Sequence, residues 1–174
     1  MKTSIFNAKK FLNSFFENMG MKDKTFVKGV VRVEVTRHDG RIEKSVVDNV
    51  VVSQGLNYLA QRGVTNTGSA FLYIAIGTQT AASSLGSTQA GMGEVDRKLA
   101  STNASSNEVM ILVATWGGAA DSVTSLDLRT AGACNHANSG SGEFLNFTNS
   151  VATILADSDF LKLQLEIQVG SHNL

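Results

Sequence analysis

The chain has 174 residues, of which 43% are hydrophobic and 17% are charged, and its formal net charge is zero. This length supports one domain with its own core, and the neutral balance argues against a nucleic-acid-binding protein that depends on overall basicity. The charged fraction is below the roughly 25% of an ordinary soluble domain, which indicates a chain that stays bound to other proteins.

The first predicted element is a basic amphipathic helix, because apolar residues recur at steps of three and four over residues 4–20. We assign residues 1–24 to this N-terminal arm and residues 25–174 to a β-domain. Three roles stay open for the arm: it docks on a neighbouring subunit, covers an open end of its own domain, or lies on a membrane surface. The lysines and phenylalanines favour the membrane surface, whereas Asn7 and Asn13 disfavour it. The predicted partner-binding residues of the arm are Phe6, Lys9, Lys10, Phe11, Leu12, Phe15, Phe16 and Met19.

A β-hairpin and a short helix are predicted next. Residues 31–36 alternate between valine and polar residues, which is the period of a half-buried strand. Asp39-Gly40 is suited to a tight turn with positive φ, and residues 42–52 form the returning strand. A helix over residues 53–63 follows, beginning at a serine and ending at a glycine.

From residue 71 onward the pattern predicts short strands separated by turns. Residues 130–142 are rich in glycine, alanine, serine and asparagine, and we expect a flexible surface loop there. The fold class is therefore mainly β: an antiparallel β-sandwich, jelly-roll or Greek-key-like, with an N-terminal amphipathic helix and one short internal helix. The strands of this second half are predicted at 71–76, 94–100, 108–116, 123–128, 144–147, 151–155 and 160–169.

A metal site or disulfide is not expected. Cys134 is the single cysteine, so no internal disulfide can form. Cys134 and His136 lie two residues apart in the predicted loop, but structural zinc needs four close ligands. We interpret the pair as incidental and predict no metal and no cofactor.

The sequence also predicts no catalytic residues. The glycine–serine stretch at 138–142 superficially resembles a nucleophile elbow, but it does not lie between a strand and a helix. Asp157 and Asp159 flank a turn, where solvated aspartates are common. The three histidines lie in segments that look exposed, and we predict that the chain is not an enzyme.

Several motifs resemble those of bacteriophage virion structural proteins, including capsid cement subunits. An apolar strand ends in Gly-Thr at residues 72–78, a small-residue loop leads to Gly-Glu-Val-Asp-Arg at 93–97, and Ser-Asp-Phe-Leu at 158–161 enters an alternating terminal strand. The resemblance covers about residues 27–169. Gln79 replaces a glycine that is usual in this pattern, and the phenylalanine-rich arm has no counterpart in it.

The resemblance implies a non-enzymatic capsid decoration or cement subunit, made in the host cytoplasm and located in the virion. Its partners would be the major capsid protein or tail proteins and further copies of itself, with no nucleic acid. A tail, neck or fibre component is the alternative within this class. A carbohydrate- or receptor-binding module is the alternative of another class, although we expect Trp116 to lie in the core and not on a sugar-binding surface.

No targeting or membrane-spanning segment is expected. Polar residues such as Asn7 and Lys9 interrupt the N-terminal apolar stretch, which is unlike a secretory signal. Nothing in the sequence approaches the run of about 20 apolar residues that would span a bilayer.

Overall fold

The structure is a computed structural model that describes residues 24–65, 69–79, 89–106, 109–117, 121 and 125–172. The predicted N-terminal helix lies outside these residues. The described chain is mainly β, with several antiparallel sheets and one α-helix. The prediction of a mainly β fold with a short internal helix is therefore confirmed.

Eleven strands, one α-helix and one 3-10 helix make up the described chain. In chain order they are β1 (Lys24–Thr36), β2 (Ile42–Val51), α1 (Ser53–Thr65), β3 (Tyr73–Gly77), the 3-10 helix (Gln89–Met92), β4 (Glu94–Leu99), β5 (Thr102–Ser106), β6 (Val109–Trp116), β7 (Leu126–Leu128), β8 (Thr130–Cys134), β9 (Asn146–Phe147), β10 (Thr153–Leu155) and β11 (Phe160–His172).

The largest sheet has six strands in the order β5-β6-β11-β1-β2-β9. Its long central strands, β1 and β11, pair antiparallel from Lys24 opposite His172 to Thr36 opposite Phe160. From residues 31 to 35 and 161 to 167, the odd-numbered apolar side chains are buried, whereas the even-numbered side chains face outward. The alternation read from the sequence is thus realised in the centre of the sheet.

The β1–β2 hairpin turns at Asp39-Gly40, as predicted. Gly40 has φ +84°, a conformation that residues with a Cβ rarely adopt. The Arg37 N–H donates to the Arg41 carbonyl at 2.8 Å, which shows that Arg41 directs its backbone groups toward β1. Because backbone direction alternates along a strand, the even-numbered residues of β2 direct their N–H and C=O groups away from β1.

A three-stranded sheet, β4-β3-β8, contributes to the same core as the large sheet. Ile74 of β3 belongs to one buried cluster with Val33 of β1 and Leu163 of β11. The two-stranded sheet β10-β7 adds Leu128 and Leu155 to this cluster. The main core is therefore built by side chains from three sheets.

Strand β8 corrects the prediction of a flexible loop over residues 130–142. All five residues of β8 are buried, and Cys134 packs in a smaller core with Phe144. A Cβ on Gly132 would come within 2.5 Å of the Asn146 carbonyl oxygen and 2.8 Å of the Phe144 ring. The residues of β8 are small because its backbone lies close to the backbone at Asn146. In the sequence alone, the same small residues are typical of a loop.

Helix α1 follows β2 after the single residue Val52. The Val52 carbonyl accepts the Leu56 N–H at 3.0 Å in the first turn, and Tyr58 packs edge-on against Phe71 with ring centroids 4.6 Å apart. The predicted end at Gly63 is wrong, because the helix continues past this glycine to Thr65. Gly63 keeps a helical backbone instead of the left-handed conformation that ends many helices.

Candidate functional site

The predicted partner-binding residues of the arm all lie outside the described residues. They are Phe6, Lys9, Lys10, Phe11, Leu12, Phe15, Phe16 and Met19. Their role stays a prediction.

Cys134 and His136 do not form half of a metal site. Cys134 is buried in β8, with Sγ 3.7 Å from the Tyr73 carbonyl oxygen, whereas His136 is exposed and its Nδ1 accepts the Asn138 N–H at 3.1 Å. Burial raises the pKa of the Cys134 thiol to about 11, which disfavours the thiolate that metal binding or nucleophilic attack needs. Within the described residues, no cluster of three or more metal-ligating side chains occurs.

A buried ion pair holds the segment that was predicted to be a flexible loop. Arg97 of β4 donates from Nε and Nη2 to the two carboxylate oxygens of Glu94, at 2.6 and 2.7 Å. Their side chains are only 2% and 5% exposed. Arg97 Nη1 also donates to the carbonyls of His136 (2.6 Å) and Ser141 (3.0 Å). The pair therefore fixes the backbone of residues 135–143 against the β4-β3-β8 sheet.

The electrostatics of the Glu94–Arg97 ion pair indicate a structural role. Desolvation by burial is the largest single influence and lowers the pKa of Arg97, but the hydrogen bonds to Glu94 and the charge interactions with Cys134 and Glu94 together outweigh it, so the net pKa is raised. The guanidinium stays charged, and its charge is neutralised by Glu94 within bidentate geometry. The Arg97 guanidinium and the Glu94 carboxylate thus both serve to hold residues 135–143 in place.

Asp159 corrects the prediction of a solvated turn aspartate. Its side chain is 0% exposed and accepts three hydrogen bonds at one end of the domain. The Arg37 guanidinium donates to Oδ2 at 2.8 Å and the Ala156 N–H at 3.0 Å, and the His38 N–H donates to Oδ1 at 3.1 Å. Arg37 also pairs with Glu43. Asp159 therefore ties the β1–β2 hairpin to the turn that precedes β11.

The carboxyl pKa of Asp159 reflects this arrangement. Desolvation by burial raises the pKa, but the Ala156 N–H, the Arg37 guanidinium and the His38 N–H stabilise the ionised form more strongly. The net pKa lies below the ordinary value. A carboxylate held in this way is a poor general acid or base at neutral pH, because it stays ionised and hydrogen-bonded.

Trp116 lies in the core, as predicted, and joins the two larger sheets. It is 0% exposed, and its Nε1 donates to Asp96 of β4 at 2.8 Å. Lys98 Nζ lies 5.8 Å from the Trp116 ring centroid and 2.6 Å from Asp121 Oδ1. A fully buried tryptophan cannot act as an exposed platform for a sugar ring.

Exposed apolar side chains concentrate near the β1–β2 hairpin. Ile42 is 57% exposed, Phe160 is 49% exposed and Ile154 is 66% exposed. Ile42 and Phe160 both lie beside Thr36 in the register of the large sheet, and the Ile154 carbonyl accepts Arg37 Nη1 at 2.6 Å. Ile42 and Phe160 flank Thr36 on one face of the large sheet, and we call these two residues the hairpin-end patch. Large apolar side chains grouped on a surface are typical of contacts with other molecules.

Comparison of the chain with protein-family models, with curated proteins and with solved structures finds no match. In the part of the chain that the structure describes, no helix has the length and apolar character needed to cross a membrane.

Proposed function

We propose that this chain is a non-enzymatic structural subunit of a bacteriophage particle, most simply a capsid decoration or cement protein. The observation that supports it best is the hairpin-end patch. Covering this apolar surface with another protein removes it from water and so lowers the free energy. Burial of apolar area contributes about 25 cal/mol per Å². The low charged fraction of the chain agrees with a subunit that remains in contact with neighbours.

The proposal includes an antiparallel β-sandwich. The six-stranded and three-stranded sheets contribute to one buried cluster, which is the arrangement expected of two sheets packed face to face. Jelly-roll or Greek-key connections are part of the same proposal. A rigid β-domain of this kind adds area and stiffness to a particle without carrying any reaction.

A structural role is also supported by how the buried polar groups are used. The Glu94–Arg97 pair holds residues 135–143, and the Arg37–Asp159 pair holds the hairpin. The Cys134 thiol has a raised pKa. These groups stabilise the fold, and each is held away from the geometry that a nucleophile or proton-transfer group requires.

The N-terminal arm is the proposed attachment to other virion proteins. The arm is joined covalently to Lys24, the first residue of β1, and Lys24 pairs with His172 at one end of the large sheet. Phenylalanine and lysine side chains on one helix suit a groove with acidic edges on a major capsid or tail protein. Further copies of the chain are the other proposed partner.

The test is binding of the purified protein to particles that lack it. In one variant, Phe11, Phe15 and Phe16 are replaced by serine; we expect the apparent affinity to fall at least about tenfold, because aromatic anchors dominate such contacts. A variant with Val95→Ser on the exposed part of β4 is the matched control and should bind normally. Unchanged binding of the triple variant would contradict the role of the arm.

The number of copies bound per particle distinguishes the capsid from the tail. Saturation binding measured by quantitative mass spectrometry should give hundreds of copies for a capsid decoration protein. About a dozen or fewer would assign the subunit to the tail, neck or fibre, where symmetry limits the number of sites. Failure to bind any part of the particle would contradict the proposed function.

A further inference from the structure

Among the described strands, none pairs with the outer edge of β2 over Ile42–Val46, and we call these residues the open stretch. β9 pairs with β2 only at Val50 and Val51, and Thr148 Oγ1 donates to the Asp48 carbonyl at 3.0 Å. Among the residues that the structure describes, no strand pairs with β2 on this side before that point. The open stretch therefore begins at the hairpin and ends where β9 approaches.

The backbone of this stretch is oriented to accept another strand. The even-numbered residues of β2 direct their N–H and C=O groups away from β1, as the Arg37–Arg41 hydrogen bond establishes. Ile42, Lys44 and Val46 therefore present their backbone groups outward. An edge of this kind is a template for pairing with a further strand.

The side chains of the same residues form an alternating surface on the outer face of the sheet. Ile42 is 57% exposed and Val46 is 59% exposed, and between them lies Lys44, whose Nζ is 2.9 Å from Glu34 Oε2 on β1. A strand that paired with this edge would cover both apolar side chains. The lysine already has a counter-charge on its own chain.

We propose that the occupant of this edge is a second copy of the chain, whose β2 pairs antiparallel with the first about a two-fold axis. A symmetric antiparallel pair must be centred on one residue, which then lies opposite its own copy. The centre of the open stretch 42–46 is Lys44. This register places Ile42 opposite Val46 of the partner subunit on both sides of the axis and forms about six backbone hydrogen bonds.

The alternative register, centred on Val46, is excluded by β9. It would place Lys44 opposite Asp48 of the partner subunit, which is favourable for charge. However, it would also place Ile42 of the partner subunit opposite Val50, where Phe147 already pairs. The position of β9 therefore limits the pairing to the open stretch 42–46, and only a register centred on Lys44 pairs this stretch with its own copy in full.

The two lysines across the axis determine how association responds to salt. Each keeps its Glu34 partner, but the like charges still repel, and added salt screens this repulsion. Association should therefore strengthen as the salt concentration rises from about 0.05 to 0.5 M. The inference deepens the proposed function, since it specifies the contact between copies, but it is tested on the purified protein without particles.

Cysteine cross-linking of the full chain tests the register. Residues opposite each other in such a pair have Cα atoms about 5.5 Å apart, which is within disulfide range. We expect the Lys44→Cys variant to form a disulfide-linked dimer under mild oxidation, whereas the Val46→Cys variant does not. The unmodified protein is the control, because Cys134 is buried. Absence of a Lys44→Cys dimer, or an equal yield from Val46→Cys, would overturn the proposal.

Sedimentation equilibrium provides a second measurement that needs no new disulfide. Val46→Lys should weaken association about tenfold, because two cross-strand apolar pairs are lost. Leu99→Lys is the matched control, since Leu99 is also 59% exposed but lies on β4. If residues of the arm cover this edge instead, the full chain will sediment as a monomer at every salt concentration, and the proposal fails.

Discussion

Asp159 connects two parts of the chain that are far apart in the sequence. In the sequence it belongs to an Asp-Ser-Asp turn, where exposure is the usual outcome. Its main side-chain partner, Arg37, lies 122 positions earlier, and no local pattern connects the two. The same holds for Arg97, whose contacts with His136 and Ser141 span 39 and 44 positions. Such roles become visible only when the strands are assembled.

Asp159→Asn should destabilise the protein by about 2 to 4 kcal/mol, because Arg37 loses its buried counter-charge. The folded-state pKa of Asp159 lies below the unfolded one. Its contribution is therefore fully present above the unfolded pKa of about 4 and is lost as the pH falls through the folded pKa. Urea unfolding between about pH 2 and pH 7 should show a shallower acid dependence in the variant.

The control for this prediction is Asp157→Asn in the same turn. Asp157 is exposed and accepts one hydrogen bond, from Ser125 Oγ at 3.2 Å. Its replacement should change the free energy of unfolding by about 0.5 kcal/mol or less. Equal effects of the two substitutions would show that the Arg37–Asp159 contact does not stabilise the hairpin.

At the scale of elements, the sequence predicts a strand well when one face is apolar. β1, β6 and β11 carry large alternating or continuous apolar residues, and all three were expected. β8 was missed because its Ala-Gly-Ala core has no large side chain, and β5 was missed because its residues are small and mostly polar. One signal could have revealed β8: a run of small residues is followed in the sequence by two phenylalanines, Phe144 and Phe147. Large rings can pack against a strand whose small side chains let the backbone come close.

Gly132→Ala should destabilise β8 by about 1 to 3 kcal/mol, the usual cost of overpacking. The added methyl group would meet the Asn146 carbonyl at 2.5 Å, and a backbone atom cannot move aside as a side-chain tip can. Gly91→Ala is the matched control, because nothing lies within 4 Å of a Cβ at that position. Thermal unfolding monitored by circular dichroism compares the two. A normal midpoint for Gly132→Ala would contradict the close packing of β8 against β9.

At the scale of the whole molecule, the domain is held together where the sheets meet. Trp116 belongs to β6 of the large sheet, whereas its hydrogen-bond partner Asp96 belongs to β4 of the three-stranded sheet. Trp116 is also the single tryptophan of the chain. Its fluorescence therefore reports on the junction between the sheets and not on one strand alone.

Unfolding in urea should give the same midpoint by tryptophan fluorescence and by far-ultraviolet circular dichroism. The shared main core makes separate melting of the two sheets unfavourable, and coincident transitions are the signature of a two-state domain. Asp96→Ala removes the acceptor of the Trp116 N–H and should lower both midpoints together. A fluorescence change that precedes the loss of strand signal would contradict a single cooperative core.

The pairing of Lys24 with His172 has a geometric consequence for any attached subunit. The polypeptide enters and leaves the large sheet side by side, and the hairpin turn lies at the far end of the 13-residue β1, about 40 Å away at 3.3 Å per residue. In a molecule tethered through its first residues, the Lys24–His172 end of the sheet would lie next to the tether and the hairpin would lie farthest from it, in solution. Because β2 pairs antiparallel with its copy in the proposed dimer, two such molecules joined near their hairpins would direct their tethered ends in opposite directions and would connect two separate anchoring points.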